Sequence, residues 1–183
     1  MESYISSAVK QFAYYKHLAD STIDRLTLYE LQQELVQNSN SIAIIMKHMA
    51  GNMLSRWTNF LTEDGEKTWR NRDDEFVDTF DNNETLHTHW NDGWTCLFDA
   101  LATISDSDLK RIVFIRNQGH TVVEAINRQL SHYAYHVGQI VFLGKLIKGE
   151  DWSSLSIPKG DSANYNQEKF NKEKGRRHFT DDV

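Results

Sequence analysis

A single proline, Pro158, stands in a chain of 183 residues. Sheets of short strands need frequent turn residues, and proline in mid-helix removes a hydrogen bond and clashes with the preceding turn. A chain this poor in proline is therefore suited to long uninterrupted helices. Four segments carry the matching period. Tyr4 to Leu26 repeats Ile5, Val9, Phe12, Tyr15, Ala19, Ile23 and Leu26 at three- and four-residue steps. Ser41 to Leu61 carries one stripe of Ile42, Ile45, Met49, Met53 and Phe60, and an adjacent one of Ile44, His48, Gly51 and Ser55. Glu84 to Ile104 places Leu86, Trp90, Trp94, Leu97, Phe98 and Leu101 on one side. Thr121 to Lys148 is the longest, with Val122, Ala125, Ile126, Gln129, Tyr133, His136, Ile140, Leu143 and Ile147 on its inner face and Gly149 as its stop. Thr27 to Val36 reads as a short extra helix. The fold class expected is all-α: a four-helix arrangement over residues 1–157, followed by a polar arm or disordered tail over 158–183.

Two connections modify that frame. Residues 62–83 form a long crossover with eight acidic and three basic residues, which carries most of the chain's net charge of −6. A helix of about 20 residues is about 30 Å long, and an extended crossover of this length can span it. The second and third long helices can therefore run parallel. Trp69, Phe76 and Phe80 interrupt the charge, so the segment is expected to pack on the body. Arg111 to Arg116, followed by Asn117-Gln118-Gly119, reads as a short strand and turn, making a minor hairpin.

Composition excludes several classes. An acidic chain with pI near 5.7 is a poor general binder of nucleic-acid phosphates. The longest apolar run, Ile42 to Met46, falls far short of the roughly 20 residues a membrane span needs. One cysteine, Cys96, allows no intrachain disulfide and suits a reducing compartment; with no basic or apolar leader in the first residues, the expected location is cytoplasmic. Cys96 lies among Trp94, Leu97 and Phe98 and reads as a buried, inert thiol.

The chemistry concentrates in histidine. His132 and His136 are four apart in the strongest helix, one turn above each other on one face, where two imidazoles can share an ion; Gln139 follows a turn later. A zinc-protease helix would need Glu where Tyr133 stands. A ferritin-like di-iron site would need Glu three residues before a His, where Gln129 and Tyr133 stand. Two histidines need at least one more ligand, and His48, beside Gly51 and Ser55 on the second long helix, is the best candidate. Each of these histidines taken alone is as readily a hydrogen-bonded boundary residue. His87 and His89 are two apart and face different directions. His120 falls in the turn before the last helix, and His17 and His178 read as surface residues. Arg56 and Asn52 read as surface or interface polar residues that could also reach a polar cosubstrate. Trp57 and Trp69 could line an apolar substrate pocket, but packing is the more ready reading.

A histidine on the second helix followed by His132-x3-His136-x2-Gln139-Ile140 on the last resembles the DinB/YfiT-like metalloprotein superfamily. The likeness covers about residues 1–150. The stretches Ser41 to His48, Gly51 to Trp57, Asp64 to Lys67 and Leu155 to Gly160 look like one bacterial branch of it. The resemblance implies an up-down-down-up bundle, one divalent ion on His48, His132 and His136 (Zn or Ni first; Fe, Mn or Co also accepted by such ligands), and a homodimer. It also implies a small-molecule substrate, since relatives include bacillithiol S-transferases, a mycothiol-dependent isomerase and hydrolases. Three neutral histidines leave coordination positions open, and no Asp, Glu or Cys offers itself at matching spacing. The expected chemistry is transfer of a low-molecular-weight thiol to an electrophile, the reacting group being a metal-bound thiolate or water. Metal-dependent hydrolysis, or a non-catalytic metal-binding role in stress response, are the alternatives. No separate motif for the thiol's other groups is visible.

Overall fold

The computed structural model describes residues 3–181. Met1, Glu2, Asp182 and Val183 lie outside the described residues, and with them part of the leader reading and one of the tail charges. The described chain is mostly helical, with one small two-stranded sheet. Side-chain caps set the helix starts, because each satisfies a backbone N–H that has no partner within the helix. Ser3 caps α1 (Tyr4–Ile23), and Thr27 with Glu30 forms a reciprocal capping box on α2 (Leu28–Leu31). Ser41 caps α3 (Ile42–Trp57), and Asn82 caps α4 (Asn83–Ala102). Thr121 with Glu124 boxes the start of α5 (Val122–Lys148), and Gly149, at φ 54°, ends it.

The helices end earlier than periodicity implies. The expected continuation of α3 to Leu61 stops at Trp57 because Thr58 turns extended and Asn59 sits at φ 50°, where its carbonyl collects the N–H groups of Thr62 and Glu63. The short helix expected over 27–36 shrinks to the single turn of α2; Gln32 then reaches across to donate to the Phe80 carbonyl.

α3 packs against α4, and α1 against α5, with α3 also touching α5 and α1 touching α4. The stripes meet in one core around Phe12, Met46, Met53, Trp57, Trp90, Trp94 and Tyr133, all essentially inaccessible to solvent. Each such side chain contributes roughly 1.5–3 kcal/mol through burial. α3 and α4 come close enough that a Cβ on Gly93 would lie 2.8 Å from Ala50 Cα. Glycine is needed there for approach, not for conformation.

The hairpin pairs β1 (Ile112–Ile115) antiparallel with β2 (Gln118–Thr121), Ile112 opposite Thr121 and Ile115 opposite Gln118. His120 is thus a strand residue and not a turn residue. Its tip is clamped to the crossover. Asp64 accepts from the N–H groups of Arg116 and Asn117 at 2.8 Å each, and Gly65 N–H donates to Phe114 O at 2.8 Å. The crossover packs on the body as expected, through Phe76 and Phe80 and also through the buried Lys67 and Glu75, while Trp69 is 59% exposed.

α6 (Ser162–Phe170) buries nothing, whereas His178–Asp181 fold back on α1 of the same chain. There His178 Nε2 lies 3.0 Å from Ser7 Oγ and Lys10 pairs with Asp181 at 2.7 Å, so His178 is half-buried and not a surface residue. Among the described residues no helix is long and apolar enough to cross a membrane.

Candidate metal centre

α3 and α5 lie side by side, and the periodicity that turns their apolar stripes inward carries His48 and His132/His136 to the same edge of the core. His132 Nε2 is 3.4 Å from His48 Nε2 and 3.1 Å from His136 Nε2. Among the described residues these three form the one group of three His, Cys, Asp or Glu side chains whose ligand atoms meet, all within 4.8 Å. Two nitrogens each about 2.1 Å from a shared ion, at roughly tetrahedral angles, would lie about 3.4 Å apart. His48 is buried; the other two are half-buried and open outward.

The outer nitrogens decide what the inner ones can do. Glu75 Oε2 lies 2.9 Å from His48 Nδ1. Burial works to raise the Glu75 carboxyl, but hydrogen bonds from His48 and Arg70 outweigh it and hold it below the usual carboxylate range. An ionised carboxylate only accepts, so His48 Nδ1 carries a proton, and in the neutral imidazole Nε2 is then the lone-pair nitrogen. Gln139 Oε1 lies 3.0 Å from His136 Nδ1 and sets the same tautomer there. Two lone pairs therefore face His132 Nε2, and one proton on that nitrogen serves only one of them well. Burial, then the neighbouring His136 and His48, push His132 down to about 3, so an added proton is not the remedy at neutral pH. A divalent cation satisfies all three nitrogens, so the donor set suits one.

The small residues beside His48 have a role that the sequence left open. They seat the crossover. A Cβ on Gly51 would lie 2.5 Å from Glu75 Oε1. Ser55 Oγ donates to Gly65 O at 2.8 Å and accepts from Lys67 N at 3.1 Å. Arg70 then grips Glu75 through Nε at 2.7 Å and Nη2 at 2.9 Å. Phe76, from the same crossover, stacks on His48 at 5.0 Å between ring centres.

Above the histidines lies a cavity of about 410 Å³. Asn52 and Arg56, expected at the surface, are buried and line it. Asn52 accepts from Tyr133 Oη at 3.0 Å, and Tyr133 in turn accepts from Trp57 Nε1 at 3.1 Å, so Trp57 is packing. Arg56 donates to Gly65 O and to Glu66 at 3.0 Å, and burial lowers its pKa. Arg70, Arg72, Phe76, Arg116, Arg128 and Gln129 complete the lining; apart from Gln129, already placed on the inner face, none was singled out for the site by sequence reasoning. The only sequence hint was the mixed charge of the crossover, which does not say which residues turn inward. A larger groove of about 610 Å³ runs between the end of α3 and α4. Cys96 lines it half-exposed, 3.5 Å from Thr58 Oγ1, and is not the buried thiol expected. Trp69 lines neither cavity. His87 and His89 stay apart from the cluster; His89 packs on Phe80 and burial lowers its pKa.

Residues 1–161 match the family model described as protein of unknown function (DUF1572), and the chain belongs to that family. No curated protein and no solved structure matches the chain.

Proposed function

We propose that this DUF1572 chain is a metal-dependent enzyme that transfers a low-molecular-weight thiol to an electrophilic small molecule, with a divalent ion, Zn or Ni first, held by His48, His132 and His136. The observation that carries the reading is the convergence of three histidine ring nitrogens, all within 4.8 Å of one another, at the floor of a cavity. When bound there, the ion supplies Lewis acidity that lowers the pKa of a group delivered to its open face. The chain's own residues do the rest. Glu75 and Gln139 orient two of the imidazoles, and the apolar side of the site, Phe76 and Tyr133, keeps solvent from the protein side. Among the described residues no Asp or Glu lines the cavity, so a water nucleophile would find no carboxylate base there. A thiol, with a pKa of about 8.5, needs far less assistance than water. The sulfur forms the new bond to carbon, the leaving group departs with its electron pair, and the thiol proton escapes through the open mouth.

The fold reading proposed with it is an up-down-down-up bundle of DinB/YfiT-like type, supported by the long crossover between α3 and α4. A homodimer through the outer face of α5 is supported by Tyr135, Phe142 and Leu146, which lie at helical spacing and are each more than half exposed. Metal analysis of protein purified without a polyhistidine tag tests the central claim. About one divalent ion per chain is expected, and His132→Ala or His136→Ala should lose both the ion and thiol-conjugating turnover while staying folded. Turnover of esters without any thiol would favour a hydrolase. Retained metal with no turnover on either panel would favour a binding protein.

A further inference from the structure

The lining of the cavity over the histidines is unusual in sign. The chain as a whole is acidic, at −6, yet five arginines and no carboxylate line this cavity. Two of the five are neutralised from behind: Arg70 by Glu75, and Arg56 by Glu66, which Arg70 and Arg116 also reach. Arg72 and Arg128 have no carboxylate within 4 Å among the described residues. Arg72 lies over the Phe76 ring at 5.0 Å, the ring that stacks on His48, so its charge is held beside the metal centre. Arg128 stands one turn before His132 on α5, with only His120 Nε2 nearby at 3.4 Å. Arg116 occupies a turn position at φ 56°, a left-handed conformation that a long side chain disfavours and that Asn or Gly ordinarily fills. The Asp64 clamp holds it there. Deeper in, two buried polar atoms have no partner among the described residues: Arg56 Nε, a donor, and Gln129 Oε1, an acceptor. Unpaired buried groups are costly, and both residues line this cavity.

We infer that the cavity is built for a small molecule carrying at least two negative charges, carboxylate or phosphate, seated on Arg72, Arg116 and Arg128 with its reacting end over the three histidines. Guanidinium forks suit planar and tetrahedral oxyanions, and a cavity lined by one sign of charge concentrates ligands of the other. The reacting end of this assignment rests on the metal-centre reading; the anion seat rests on the arginines alone. That separation shapes the test.

The protein is loaded with Co(II) and titrated, at low ionic strength, with mercaptosuccinate, 2-mercaptoethanol and cysteamine, following the sulfur-to-cobalt absorption. Metal-free protein is titrated in parallel with succinate and with inorganic phosphate by calorimetry; the better binder of the two names the oxyanion. Mercaptosuccinate should bind about tenfold or more tighter than 2-mercaptoethanol, with cysteamine weakest. Salt should erode the preference. The double variant Arg72→Gln/Arg128→Gln, at two exposed positions, should cut it severalfold, Arg116 remaining, while leaving cobalt content unchanged. Arg111→Gln, outside the cavity, should keep it. Equal affinity for the three thiols, or a preference that the double variant leaves undiminished, overturns the inference and leaves the metal reading intact. Failure to hold cobalt, with succinate or phosphate still bound through the arginines, sinks the metal reading and supports the anion seat. Failure to hold cobalt with neither anion bound overturns both.

Discussion

Glu75→Gln asks whether the crossover orients a metal ligand or merely packs against one. Glu75 accepts from His48 Nδ1 at 2.9 Å and from Arg70 at 2.9 Å on Oε2, and from Arg70 Nε at 2.7 Å on Oε1. Glutamine has one oxygen. If it keeps His48, its amide NH2 faces Arg70 Nε, donor against donor. The His48 bond then survives but loses its charge. Partners of metal-bound histidines typically contribute 10- to 100-fold in affinity. Glutamine should cost about tenfold, and Glu75→Ala, which removes the acceptor and leaves the His48 tautomer unset, about 100-fold, or about 1.4 and 2.8 kcal/mol. Both changes also strip a buried guanidinium. The Arg70 side chain is 2% exposed; the glutamine variant keeps its Nη2 bond and loses the Nε one, whereas the alanine variant leaves it only Glu66 at 3.3 Å, so the metal-free protein should lose about 1–3 kcal/mol, alanine more than glutamine. Zinc affinity is read by competition with a chromophoric chelator, and stability by urea midpoints on metal-free samples. If both variants bind zinc within twofold of wild type while their urea midpoints fall, Glu75 is a structural ion-pair partner only and the orientation argument is wrong.

Gly51→Ala should lower zinc affinity from the other side, because the new methyl meets Glu75 Oε1 at 2.5 Å; the roughly 1 kcal/mol of helix propensity it gains will show as a higher urea midpoint only if the carboxylate is not in fact seated there. Metal-free protein should lose stability as pH falls from 6.5 towards 3. The unfolded chain protonates His132 near 6.5 but the folded one only near 3, so the contribution is whole above 6.5 and drains below it; His132→Asn should flatten that slope in urea midpoints taken between pH 7 and 4.5. Light scattering at micromolar concentration should give a mass of twice 21.3 kDa, and Phe142→Glu should halve it; a monomeric wild type refutes the α5 interface.

What the sequence by itself determined is what local repetition encodes. Apolar steps of three and four placed α1, α3, α4 and α5 to within a few residues, and Ser41, Thr121 and Gly149 marked their ends, because caps and periodicity act over one or two turns. The pair His132 and His136 was legible for the same reason: four residues on a helix is one turn. His48 was a weaker inference, since its partner lies 84 residues away and only the packing of α3 on α5 joins them. The crossover was legible as a packed connection, but which of its residues turn towards the site was not. It has no period, and its eight acidic side chains are alike until Gly51 and Ser55 offer a seat that Glu75 and the 65–67 backbone fill. Once that seating is made, Arg70 follows Glu75 inward, Asp64 locks the hairpin, and Arg116 is carried to the cavity mouth. Apart from the Arg70–Glu75 pair, five residues apart, these are contacts between segments distant in sequence, decided by shape and by the cost of leaving a buried charge unpaired; neither has a signature in the local chain.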